Sequence, residues 1–74
     1  MTPQLDLHGV RHGDVYRKID KFIGEHLMAG TQAVNIITGH SIKMKKIVNT
    51  TLEDYNLRGE TSFFNNGSVT VKLM

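Results

Sequence analysis

The chain has no cysteine, so no disulfide or thiolate-held metal can brace it, and thiol chemistry is excluded. It has little excess charge. Nine Lys and Arg against seven Asp and Glu leave a formal net charge of +2, which excludes a histone-like polycation but permits a local electropositive patch. No long hydrophobic run is present. The longest apolar-leaning stretch, Ala33 to Ile37, is interrupted by Asn35 and falls far short of a membrane span. The opening Met1-Thr2-Pro3-Gln4 shows no basic run leading into an apolar one, so no signal peptide is expected and a cytoplasmic location is the default. Linkers, repeats and low-complexity tracts are absent, as are a P-loop, a dinucleotide fingerprint and a Ser/His/Asp order.

What is present suits one small globular domain spanning residues 1–74. Hydrophobic content of 39% and charged content of 22% are those of a folded chain rather than a disordered one. A chain this short buries only about 60% of its unfolded surface, so the core must be compact.

Leu5 and Leu7 alternate with Asp6 and His8, which predicts a strand over Gln4–His8. Gly9 and Gly13 read as loop punctuation and Asp14 as the N-cap of a first helix. Val15, Ile19, Phe22, Ile23 and Leu27 mark its buried face, and Gly30 its stop. Val34–Ile37 reads as a buried strand, followed by a turn, Thr38-Gly39-His40-Ser41. A second helix carries the stripe Met44, Ile47, Val48, Thr51, Leu52 and Tyr55. Residues 58–64 and 68–73 are the last two strands, with Asn65-Asn66-Gly67 as the tight turn between them. The order β-α-β-α-β-β predicts an α/β two-layer sandwich. Two helices cover one face of a mixed four-stranded sheet whose first two strands are parallel.

If Leu5 and Leu7 face the helices, Asp6 and His8 share the opposite, open face, roughly 6.6 Å apart along the strand. A carboxylate so placed can hold a tautomer of the imidazole and raise its basicity, although polar residues also stand on open sheet faces with no such role. The carboxyl end of a strand opening a parallel unit is where ligands of open α/β sheets bind.

The second helix has an oddity. With Ser41 as N-cap, Lys43, Lys45 and Lys46 sit in or just past its first turn, where each cation costs roughly 0.3–1 kcal/mol against the helix dipole. A bound phosphate reverses that sign; the plain alternative is a solvated lysine face. His8, His12 and His40 do not make a supported metal site. His26 reads as structural or solvent-facing. Of Phe63 and Phe64, one is expected in the core; the other is either a base-stacking ring or, the favoured reading, a partly covered aromatic.

The segment Leu5-Asp6-Leu7-His8-Gly9 resembles the opening motif of the small MutS-related (Smr) domain. The resemblance continues through Ile36-Ile37-Thr38-Gly39, where that family carries a TG or HG turn. A lysine-bearing helix from Ile42 to Val48 and a terminal strand from Gly67 to Leu73 complete it. It implies a two-layer fold like that of the carboxyl-terminal domain of a bacterial translation initiation factor. It also implies nucleic-acid binding and, in many relatives, endonuclease activity on DNA or RNA, with relatives acting on ribosomes or messenger RNA.

On that pattern Asp6 and His8 are the catalytic or substrate-contacting pair, with Gly9 beside them, and Thr38 and Gly39 form the phosphate-side loop. Ser41, Lys43 and Lys46 would hold backbone phosphates and His40 would be a second proton donor. The family's second loop is usually longer, of the form G-x-G, whereas here Gly39-His40-Ser41 enters the helix at once and Ser41 holds the second glycine's position. Two function classes are implied: an Smr-type endonuclease, or a non-catalytic module binding RNA, DNA or a ribosomal site with the same surface. A protein-interaction domain is a third. A carboxylate and a histidine near a phosphate can recruit Mg²⁺ or Mn²⁺, but one such pair does not demand it.

Overall fold

The structure, a computed structural model, describes residues 2–62 and 65–73, without the side chains of residues 61, 62, 65 and 66. The elements run β1 (Gln4–Asp6), α1 (His12–Met28), β2 (Ala33–Ile37), α2 (Ile42–Glu53), β3 (Gly59–Ser62) and β4 (Asn65–Lys72). The sheet order is β1-β2-β4-β3. β1 and β2 are parallel, and β4 pairs antiparallel with both β2 and β3. This is the two-layer α/β sandwich that the pattern predicts.

The core lies between the layers. Val15, Ile19 and Ile23 of α1 and Met44, Val48 and Leu52 of α2 meet Leu7, Val34, Ile36, Val69 and Val71 of the sheet layer. Leu5, Phe22, Ile47 and Tyr55 are partly buried against that cluster. Leu27 departs from the expected stripe and is 43% exposed. Each four-residue step turns a helical stripe by about 40°, so three such steps from Val15 carry Leu27 off the core face.

The first helix starts earlier than expected. Its N-cap is Arg11, which makes no side-chain cap bond. Gly13 and Asp14 therefore lie inside the first turn, where the Asp14 carboxylate favours the dipole without capping it. At the other end Gly30 is the expected stop, with φ +75°. The Gly30 and Thr31 amides donate to the carbonyls of Leu27 and His26, a Schellman closure. His26 is structural: its Nδ1 lies 2.9 Å from the Thr31 hydroxyl, and its ring meets Phe22 edge-on. Ser41 caps α2 as expected, its Oγ accepting from the Met44 amide at 3.1 Å.

The hairpin differs from expectation. Asn65, Asn66 and Gly67 are not a turn but the first residues of β4, with Ser62 paired to Asn65. The cause is long-range. The Gly67 carbonyl accepts from the Thr38 and Gly39 amides at 2.8 and 2.9 Å, which extends the β2–β4 pairing beyond Ile37 and draws Gly67 into the sheet. Phe63 and Phe64 lie outside the described residues.

Two glycines test this packing with opposite signs. A Cβ on Gly59 would collide with Val69 Cγ1 and stand 3.2 Å from Leu52 Cδ1, whereas one on Gly24 meets nothing within 4 Å. Gly59→Ala is expected to destabilise by about 1–3 kcal/mol through overpacking. Gly24→Ala, inside α1, is expected to stabilise by about 0.5–1 kcal/mol. Urea unfolding of the two variants checks both, and equal effects would contradict the packing described.

Candidate functional site

Asp6 ends β1 by turning the chain with its own side chain. Its Oδ1 accepts the His8 backbone N–H at 2.9 Å and lies 2.8 Å from His8 Nδ1. The first bond is an Asx turn, so the strand stops at Asp6 rather than at His8. The two side chains are consequently in direct contact, closer than two strand neighbours on one face. Leu7 between them is fully buried and its amide donates to the Ile37 carbonyl at 2.9 Å. The core therefore anchors the residue between the two polar ones.

A carboxylate only accepts hydrogen bonds, so Nδ1 carries the proton of the neutral imidazole and Nε2 presents a lone pair. Both side chains stay open to solvent, His8 at 63% and Asp6 at 62% exposure. The Asp6 carboxyl titrates below its ordinary range, chiefly because the His8 N–H binds it and then because the His8 ring does. The ionised form is thus favoured in the fold. The interaction is present at neutral pH and is lost as pH falls through that lowered value.

The second motif meets the first at His8. A Cβ on Gly39 would lie 2.9 Å from His8 Nε2, and Gly39 has φ +68°. Glycine is required there twice, by the backbone conformation and by the imidazole beside it. Gly9, with φ +75°, lets the chain leave His8 toward α1 and meets no steric limit of its own. Both motifs stand at the carboxyl ends of the parallel strands, because Asp6 pairs with Ile37 and His8 and Gly39 lie just beyond them.

Thr38 is 4% exposed. Its hydroxyl donates to the Gly39 carbonyl at 2.9 Å, with the Gly67 carbonyl at 3.4 Å. Its amide and that of Gly39 are committed to Gly67. Thr38 and Gly39 thus shape the turn, with both of their amides already bonded within the protein. His40 and Ser41 are exposed, and among the described residues no hydrogen bond engages the amides of His40, Ser41, Ile42 or Lys43. Lys43 and Lys46 are exposed and Lys45 half-buried, with no acidic residue in the first turn of α2. Gly67 is the residue that sequence reasoning missed. Its Asn-Asn-Gly context signalled a turn, whereas its carbonyl fastens the Thr38-Gly39 turn.

Clefts of about 610 and 750 Å³ lie elsewhere, the first between α2's carboxyl end and β3, the second at Thr2, Pro3, Gln4 and Asn35. Asp6, His8 and His40 are exposed, beside the half-buried Gly39. Among the described residues no three His, Asp or Glu gather as a metal centre requires. Asp6 Oδ1 is engaged by His8, which leaves Oδ2 as the carboxylate's second acceptor. No described helix is long and apolar enough to cross a membrane.

The order of causes at Asp6 gives a measurable consequence. In His8→Ala the ring bond is lost but the backbone N–H remains, so the Asp6 carboxyl is expected to rise only part of the way to its ordinary value. A carbonyl-detected NMR titration reads this. Full reversion would mean that the ring, not the Asx turn, is the main cause.

The model of the Smr domain matches residues 5–72, which takes in both glycine turns, both helices, β1 from its second residue and the other three strands. No curated protein and no solved structure matches the chain. The span of that match, from the Leu5-Asp6-Leu7-His8-Gly9 segment to the end of β4, places the chain in the Smr domain family, a nucleic-acid-binding and nuclease-related family.

Proposed function

We propose that the protein is an endonuclease that cleaves phosphodiester bonds in RNA or DNA at the Asp6–His8 ledge. The observation that carries the reading is the double engagement of His8. Nδ1 is held by Asp6, and Nε2 stands at the Gly39 turn, from which α2 begins. A phosphate at the free amides and lysines of that helix start would be one short step from the Nε2 lone pair.

In this reading Nε2 takes the proton from the attacking hydroxyl, a ribose 2′-OH or a water, as its oxygen bonds to phosphorus. The P–O bond to the leaving oxygen breaks with its electron pair, and that oxygen is protonated by His40 or solvent. Asp6 holds the tautomer and stabilises the imidazolium that forms. Lys43 and Lys46 neutralise phosphate charge.

A second reading, binding without cleavage, is favoured by one observation. The turn has only Gly39-His40-Ser41, the Gly39 amide is already bonded to Gly67, and the Ser41 hydroxyl caps α2. Fewer backbone donors therefore remain to stabilise a transition state.

Cleavage of single-stranded RNA, structured RNA and supercoiled plasmid, with and without Mg²⁺ or Mn²⁺, separates the two. Removing a positioned acid–base group costs about 10²–10⁴-fold, so His8→Ala is expected to lose cleavage by that factor. Asp6→Asn should lose it too, with both variants folded by circular dichroism. Substrate that is retarded on a gel but stays intact, or equal rates in all three proteins, would reject the nuclease reading.

A further inference from the structure

We propose that a single-stranded nucleic acid leaves the Asp6–His8 ledge across the helical layer, stacking a base on Tyr16 in the groove between α1 and α2. The inference rests on the nucleic-acid reading above and adds where the strand runs.

Two surfaces adjoin the ledge. The open face of the sheet carries a register row of Gln4, Asn35, Thr70 and Glu60. Thr70 is tied to Asn35 by a 2.8 Å hydrogen bond. That face bears Asp6 and Glu60 against Lys72, which is a poor bed for a polyanion. The helices hold six of the nine Lys and Arg, but on α1 Arg17, Lys18 and Lys21 are matched by Asp14, Asp20 and Glu25, so the surplus is that of Lys43, Lys45 and Lys46 on α2. The first acid on α2 is Glu53, its last residue.

The groove borders α2 and takes Lys46 into its lining. It has a volume of about 300 Å³ and is lined by Tyr16, Lys46, Ile47, Thr50 and Thr51. Because β1 and β2 are parallel, both helices begin at the same edge of the sheet, the edge of His8 and Gly39. Tyr16 and Lys46 each stand four residues into their helix, about 6 Å along its axis. The groove therefore opens one turn behind the ledge.

Tyr16 is 51% exposed, although it lies next to the fully buried Val15. A half-exposed tyrosine that lines the same groove as Lys46 offers a π-face to a base, and the lysine a cation to its phosphate. Stacking does not depend on base identity, so the partner is any single strand.

The test measures binding of a fluorescein-labelled eight-nucleotide RNA, and the matched DNA, to wild type, Tyr16→Ala, Tyr16→Phe and Lys43→Ala. The lower end of measured base–aromatic stacking corresponds to weakening by about five- to tenfold, which is expected for Tyr16→Ala with both strands. Tyr16→Phe should retain wild-type affinity. The chain has no tryptophan and two tyrosines, so tyrosine emission gives a second readout. Unlabelled strand should quench it in wild type and not in Tyr16→Phe. If Tyr16→Ala binds like wild type while Lys43→Ala is weakened, the strand takes another path and the ledge reading stands. If wild type binds neither strand, the nucleic-acid reading fails, and this inference with it.

Discussion

One carboxylate oxygen organises the site. Asp6 Oδ1 accepts from both the backbone and the ring of His8, and the two bonds do different work. The backbone bond ends β1 and turns the chain; the ring bond fixes the imidazole's orientation and tautomer. Neither adds much stability, because both side chains face water. The pair's value is geometric. An imidazole free to rotate would present Nε2 to the Gly39 turn only part of the time.

The rest of the fold keeps that arrangement in place. Leu7, buried between the two polar residues, ties them to the core, and its amide bond to Ile37 fixes the height of His8 relative to β2. The Thr38-Gly39 turn is fastened from the other side by Gly67. The arrangement is thus built where three strands meet: the end of β1 supplies Asp6 and leads into His8, β2 leads into the turn, and β4 gives the carbonyl that holds the turn. All three contributions are far apart in the chain, and that of β4 also explains why Asn65-Asn66-Gly67 extends a strand instead of reversing it.

Much of this was legible in the residues. Apolar spacing located both helices and all four strands, and the alternation of Leu5 and Leu7 with Asp6 and His8 put the polar pair outside. What spacing could not show was contact. Strand geometry separates Asp6 and His8, whereas the Asx turn brings them together, and an Asp two residues before an exposed His is the signal for it. The β-α-β order predicted the parallel pairing of the first two strands and so set both motifs at one edge of the sheet, but the approach of Gly39 to His8 was not legible, because nothing local to either motif encodes that contact. Gly67 was misread for the complementary reason. Its local sequence favours a turn by intrinsic conformation, and a tertiary hydrogen bond outweighs that preference. Tyr16 carries no signal of its own because it sits just off an apolar stripe, where a half-exposed aromatic looks like the edge of the core.

The account turns on the state of one ring, and that state can be observed directly. Long-range proton–nitrogen correlation of the His8 imidazole at pH 8, in wild type and in Asp6→Asn, reports which nitrogen carries the proton. With Asp6 present, the proton is expected on Nδ1 and the lone pair on Nε2. In Asp6→Asn the spectrum is expected to lose that single-tautomer signature, since the amide no longer offers only acceptors. A wild-type ring protonated on Nε2, or the same mixture of tautomers in both proteins, would contradict the claim that Asp6 aims His8 at the Gly39 turn.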